Sequence, residues 1–177
     1  MSSDRIIECD VLIIGGGIAG AIAALKLAEN DSLRIVLLTK AQTPLECNTY
    51  YAQGGIIYEG TEDSPAQLAE DLIRAGDGMN NRQAVEILST EGPRLVRELL
   101  IERYHVPFTL TPEHELEYTR EAAHSTSRIL HVADATGRGI QEALVRELHQ
   151  HKNIELLTEH TAIDLLTPAH HSSDRLA

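Results

Sequence analysis

The chain has 177 residues, 42% of them hydrophobic and 24% charged, which suits one soluble domain around one core. Its formal net charge of −12 argues against nonspecific binding to nucleic acid or anionic membrane, since both reward a basic surface. Trp is absent and Phe108 is the single Phe, so aromatic platforms for stacking single-stranded nucleic acid are not expected.

No apolar run approaches the ~20 residues of a membrane span. Met1 to Asp10 is polar and acidic and lacks the apolar stretch of a signal peptide, so a cytoplasmic location is expected. Cys9 and Cys47 fit no CxxC or metal-ligand spacing and read as reduced thiols, and no metal is expected.

Cys9 to Ile14 is a short apolar run with β-branched residues and glycines after it, which predicts a buried parallel strand. Ile18 to Glu29 has helical spacing of apolar and small residues, and Arg34 to Thr39 is a second buried strand. Together they form one βαβ unit. Between them lies Gly15-Gly-Gly17-Ile-Ala-Gly20, with the spacing G-x-G-x-x-G. The first glycine makes the tight turn, the second admits a pyrophosphate to the backbone, and the third lets helix and strand pack closely. The helix N-terminus then offers unpaired N–H groups and a positive dipole end to the phosphates. The motif alone is weak. An apolar strand before it and a helix of small residues after it make it a dinucleotide site. The candidate cofactor residues here are Gly15, Gly16, Gly17, Ile18, Ala19 and Gly20. The acidic residue that usually ends the second strand and holds a ribose is missing; the strand ends Thr39-Lys40, which weakens a plain NAD assignment.

Lys40 to Gly60 reads as a long extended connection, a length that in compact domains is usually functional or disordered. Ser64-Pro-Ala-Gln67 predicts a capping box with Pro65 at the first helical position, for a helix ending near Ala75 with Gly76 after it. Asn81 is expected to cap a further helix, and Gly92-Pro93 to restart the pattern with Leu95, Val96, Leu99 and Leu100 on one face. Phe108 to Leu110 is read as a short strand and Pro112 to Glu117 as exposed. Arg128 to Val132 is read as strand-like, Gly137 to His151 as an amphipathic helix, and Ile154 to Thr158 and Thr161 to Leu166 as two more strands. His131 reads as structural. The pairs His149/His151 and His170/His171 lack further ligands at metal spacing and read as exposed. Ser125 has no visible base partner, so a nucleophilic role gets little weight.

Asn48-Thr-Tyr-Tyr-Ala-Gln-Gly-Gly55, the glycine turn and the Thr39-Lys40 ending together resemble the flavoprotein family of succinate dehydrogenase, fumarate reductase and L-aspartate oxidase. In that family a strand ending in Ser/Thr-Lys is normal, and the Ala52-Gln-Gly-Gly55 run lies against the flavin. The resemblance implies that Thr39, Lys40, Asn48, Thr49, Tyr50, Tyr51, Ala52, Gln53, Gly54 and Gly55 join the glycine turn in holding FAD. Respiratory members carry a flavin-linked histidine four residues before the alanine; here that position is Asn48, so FAD is expected to be noncovalent. Thr119-Arg-Glu-Ala-Ala-His-Ser125 and Arg128 to Arg138 resemble the L-aspartate oxidase branch, and the resemblance runs from Cys9 to about Leu166. Ala122 and Ala123 depart from glycines common in the family, and Thr126 and Ser127 from a more basic stretch.

The resemblance implies an α/β, Rossmann-like FAD-binding domain with a parallel sheet, incomplete at its C-terminal side. It implies oxidation of L-aspartate to iminoaspartate on the quinolinate route to NAD, with oxygen or fumarate as acceptor and a quinolinate synthase as recipient. It points to Glu121 as the anion pairing with the substrate ammonium, and to His124 and Arg120 as contacts for a carboxylate. Family chains are much longer. Residues 1–167 are therefore expected to be the N-terminal part of the FAD-binding domain and 168–177 a polar, disordered tail. The catalytic groups are expected beyond Ala177, and these residues alone are expected not to turn over aspartate. The alternatives are a succinate/fumarate-type flavoprotein, opposed by Asn48 and Glu121, and a noncatalytic FAD-binding remnant.

Overall fold

The computed structural model describes residues 6–167; the expected tail over 168–177, with His170 and His171, lies outside them. In chain order the elements are β1 (Val11–Ile14), α1 (Ile18–Leu27), β2 (Ile35–Leu38), β3 (Ile56–Ile57), α2 (Pro65–Ala75), α3 (Arg82–Leu95) with a π-helical continuation (Val96–Arg103), β4 (Tyr118–Thr119), β5 (Ile129–Leu130), α4 (Thr136–Leu148) and β6 (Ile154–Leu157).

β1, β2 and β6 form a parallel sheet in the order β1-β2-β6, with Val11 opposite Ile35 and Ile35 opposite Ile154. β2 is the middle strand, and Ile35, Val36 and Leu37 are buried on both of its faces. α1 and α4 pack together against this sheet. Ala21 and Ala24 keep α1 slim enough to meet Ile140, Ala143, Leu144 and Leu148 of α4 in one core with Ile35 and Leu37. β3, β5 and β4 form a second, antiparallel sheet with β5 in the centre. Tyr58, Val96, Leu100, Tyr104, Phe108 and Leu130 extend the core beneath it.

The expected βαβ unit, the α4 helix and β6 are present within three residues of their sequence bounds. Both expected caps are made: Ser64 Oγ accepts from Gln67 N at 3.2 Å, and Asn81 Oδ1 from Ala84 N at 3.1 Å. The reciprocal half of the capping box is not. The Gln67 amide reaches across to Ser125 Oγ at 3.1 Å, while Asp63 takes the Ser64 N–H at 2.8 Å.

Four expectations are corrected. β1 is not buried on both faces: Leu12 and Ile14, two residues apart and so on the same face, are 49% and 63% exposed, because no described element covers that face. Gly92-Pro93 does not restart a helix. α3 runs through it and then widens, with Tyr104 N bonded to Leu99 O five residues back. Pro93 has no N–H to give, and the widened turns that follow absorb the fault. Phe108 to Leu110 makes a single bridge, Leu110 to Leu116, rather than a strand. Thr161 to Leu166 is not a strand either: Ile163 is 94% exposed, and an apolar alternation without a neighbouring strand has no ladder to join. β3 and β4, two residues each, went unread because so short a strand has no period to detect.

Candidate functional site

The glycine turn leaves β1 and enters α1 as the spacing predicts. Gly15 sits at φ +101°, a conformation that a side chain rarely adopts. A Cβ on Gly20 would collide with the Gly15 carbonyl oxygen, so the third glycine is required by helix–strand packing. No side chain of α1's own N-cap residue closes the helix; instead the Thr49 hydroxyl, 31 residues away, accepts from Ile18 N at 3.0 Å. The N–H groups of Ala19 and Gly20 in the same first turn point out of the helix with no intrahelical acceptor.

An open groove of about 490 Å³ runs along this turn. Gly15, Gly16 and Gly17 line it from one side, Thr39 and Lys40 from the end of β2, and Asn48 and Thr49 from the loop after β2. Three segments separated in sequence thus meet along one surface. Glu46, Cys47 and His160 also line it, and none of them was expected at the site from the sequence. The groove carries a carboxylate after all, from Glu46 in the loop rather than from the end of β2.

Tyr50, Tyr51, Ala52 and Gln53 turn away from this groove into a smaller hollow with Asp134, Ala135 and Arg138 at the start of α4. The Arg138 guanidinium lies 5.2 Å from the Tyr50 ring centroid. Gly137 N donates to Ala52 O at 3.0 Å, and a Cβ on Gly137 would collide with the Thr49 carbonyl. Fully buried Gln141, on the same helix, donates to Gly16 O at 2.7 Å and to Pro44 O at 3.0 Å. α4 therefore holds both the glycine turn and the 49–52 turn in place. Gly55 has a packing reason of its own: its Cβ would collide with Ile129 and with Leu130 O.

Arg120, Glu121 and His124 share one loop between β4 and β5. Glu121 lies against the 48–55 segment, its Oε1 3.4 Å from where a Gly54 Cβ would stand. Arg120 Nε donates to the His124 carbonyl at 2.9 Å, and His124 N donates to Glu121 O at 3.0 Å. Beneath this loop is a buried ionic cluster. Arg128, 0% exposed, donates through Nε and Nη2 to both oxygens of Asp63 at 2.7 and 2.8 Å. Its Nη1 donates to Asp71 Oδ2 at 2.6 Å and lies 3.1 Å from His124 Nδ1. Asp71 also accepts from Ser125 N and Ser125 Oγ, each at 2.8 Å, and pairs with Arg74. Burial pushes the Asp71 carboxyl up, but the Ser125 backbone N–H, the Ser125 hydroxyl and Arg128 outweigh it and hold it lowered to about 2. His131 takes the structural place expected of it: its Nδ1 lies 3.3 Å from Thr109 Oγ1 and its carbonyl accepts from Thr109 N.

A family model described as FAD binding domain matches residues 10–174. The chain belongs to this family. FAD is the cofactor of the FAD binding domain family, and the residues fit it: a positive-φ glycine, N–H groups at a helix start, and an adjoining groove lined by the glycine turn, Thr39, Lys40, Asn48 and Thr49 together with the apolar Ile14 and Leu38. The chain is 42% identical over 158 residues to an L-aspartate oxidase of Halobacterium salinarum, covering 89% of this chain and 30% of that protein. It is 38% identical over 161 residues to an L-aspartate oxidase of Clostridium acetobutylicum, covering 91% of this chain and 36% of that protein. The chain thus spans about a third of the length of the curated relatives it matches. A quinol-fumarate reductase structure superposes with a TM-score of 0.83 at 25% identity, covering 92% of this chain and 28% of that one. The α/β fold with its parallel sheet is the fold expected from the sequence.

The sequence reading missed Asp63, Asp71, Ser125, Arg128 and Gln141 as organisers of the site. The contacts that join them across the chain span 54 to 125 residues, so no local spacing announces them. A signal was available in one case, because an arginine at the head of an apolar strand has to find an anion when it is buried.

Proposed function

We propose that this protein is an FAD-dependent oxidase of L-aspartate, forming iminoaspartate on the quinolinate route to NAD. The observation that carries the reading is the juxtaposition of the Glu121 carboxylate with Gly54 of the 48–55 segment, in a chain 38–42% identical to proteins named L-aspartate oxidase. FAD supplies acceptance of a hydride from the substrate Cα. The chain's own residues bind and orient. With FAD bound, the N–H groups at the start of α1 would hold its pyrophosphate, Thr39 and Lys40 its adenosine half, and residues 48–55, along the groove and the adjoining hollow, its ring system. Asn48 stands where a covalently linked histidine would stand, so the cofactor is held noncovalently.

Glu121 pairs with the substrate ammonium and so favours aspartate over succinate, which has none. His124 and Arg120 belong to the carboxylate side. In this reading oxygen or fumarate would serve as electron acceptor, a quinolinate synthase as recipient of the product, and the cytoplasm as the site of action. In domain terms, residues 1–167 contribute the N-terminal part of the FAD-binding domain and 168–177 a polar tail. No helix among the described residues is long and apolar enough to cross a membrane.

The test is an FAD titration of the full-length protein followed by flavin fluorescence, then anaerobic L-aspartate with flavin absorbance as readout. Bleaching by L-aspartate and not by succinate supports the reading. Bleaching by succinate alone sinks it, and a flavin that stays with the acid-precipitated protein sinks its noncovalent part.

A further inference from the structure

The geometry points to Arg128 as a positioning residue that holds His124 as a neutral imidazole, Nδ1 accepting and Nε2 carrying the proton, so that Nε2–H donates to a carboxylate of the bound substrate. The identity of that carboxylate rests on the L-aspartate reading above; the tautomer does not.

A guanidinium has five N–H donors and no acceptor, and it does not deprotonate in proteins. Arg128 Nη1 faces His124 Nδ1 at 3.1 Å. Two N–H groups cannot share that contact, so Nδ1 presents its lone pair, and the ring proton sits on Nε2. The guanidinium has no freedom to turn away. Its Nε and Nη2 are engaged by the two oxygens of Asp63 in a bidentate fork, and Nη1 also meets Asp71. Both carboxylates are anchored in turn. Asp63 accepts from Ser64 N at 2.8 Å and Gly60 N at 3.3 Å, and Asp71 from the Ser125 backbone and hydroxyl.

The ring is pinned from its backbone as well, since Arg120 holds the His124 carbonyl and Glu121 accepts the His124 N–H. No described residue bonds Nε2, and the side chain is half-buried rather than sealed. One loop then offers two complementary groups: the Glu121 carboxylate for an ammonium, and a neutral N–H donor with fixed polarity for a carboxylate. An unheld histidine would sample both tautomers and the imidazolium, and would present a lone pair to an anion part of the time.

The test uses the FAD-loaded full-length protein labelled with 15N-histidine, with His124→Gln identifying the resonances. At neutral pH His124 is expected to give a bare ring nitrogen at Nδ1 and a protonated one at Nε2. Arg128→Lys, which cannot keep the fork, is expected to mix the tautomers. Should that variant fail to fold, the native spectrum and the His124 variants decide.

Succinate binding, followed by perturbation of the flavin spectrum, reads the donor role: His124→Leu should weaken it by roughly tenfold or more, as for loss of a hydrogen bond to a charged group. His124→Gln, which keeps an N–H donor, should stay within about threefold of native. A proton on Nδ1 in the native protein overturns the positioning role. Equal succinate affinity for native and His124→Leu overturns the carboxylate contact, and so does a native protein that binds no succinate. Failure of L-aspartate to bleach a flavin that still senses succinate removes the aspartate reading and leaves this one standing.

Discussion

The glycine turn and the Arg128 cluster lie in one molecule and solve opposite problems. The turn makes room: it is built from missing side chains, backbone N–H groups and one hydroxyl, Thr49, borrowed from 31 residues away. The cluster fills room: one guanidinium and two carboxylates, all nearly inaccessible, lock a loop by charge. A cradle made of backbone tolerates little added volume and needs no ionisable group. A loop held by buried charge tolerates shape changes poorly only where a charge loses its partner.

The comparison is broken first at Arg128. Arg128→Met takes the buried Asp63 carboxylate's cationic partner away and leaves Asp71 with Arg74 alone, and is expected to cost about 3–5 kcal/mol in a denaturant titration. A cost near zero would mean that water reaches the cluster. Next in size, Gly20→Ala drives a Cβ into the Gly15 carbonyl and is expected to cost about 1–3 kcal/mol, as overpacking does. FAD affinity should fall with it, read by flavin fluorescence. Unchanged affinity would separate the turn's packing from its cofactor role.

Acid unfolding sharpens the contrast through Asp71. The Asp71 pKa is lowered from 3.8 to about 2 in the folded chain. Its contribution to stability is therefore complete above the unfolded value and is lost as pH falls through about 2. Asp71→Asn should flatten stability between these two pH values, monitored by circular dichroism, whereas Thr49→Val should leave that slope unchanged. The smallest effect is at the edge of the cluster: Ser64→Ala removes the α2 cap, and about 1 kcal/mol is the expected loss by thermal unfolding.

The two regions also differ in how far they could be read before folding. Gly15 to Gly20 and the caps Ser64 and Asn81 announce themselves because each acts within one turn of its own position, whereas Thr39-Lys40 gained its cofactor role through resemblance. Glu121 was legible only through resemblance, as a lone Glu carries no local signature. Asp63, Asp71 and Arg128 were not legible as a unit, and neither was the support that Gln141 gives to Gly16 and Pro44, because each partner is drawn from a different stretch of chain.

By itself the sequence determined the βαβ unit, its glycine turn and the start of each helix, since these depend on φ, on hydrogen bonds a few residues long and on periodicity. Only the tertiary structure decided that β1 keeps one face uncovered, that Thr161 to Leu166 joins no ladder, that α3 passes through Pro93, and that Arg128 reaches His124. The first two depend on which distant surface arrives to pair or cover a strand, and the last on Asp63 and Asp71, 65 and 57 residues away, aiming Arg128 at a histidine four residues from it; apolar pattern and charge sign do not record that.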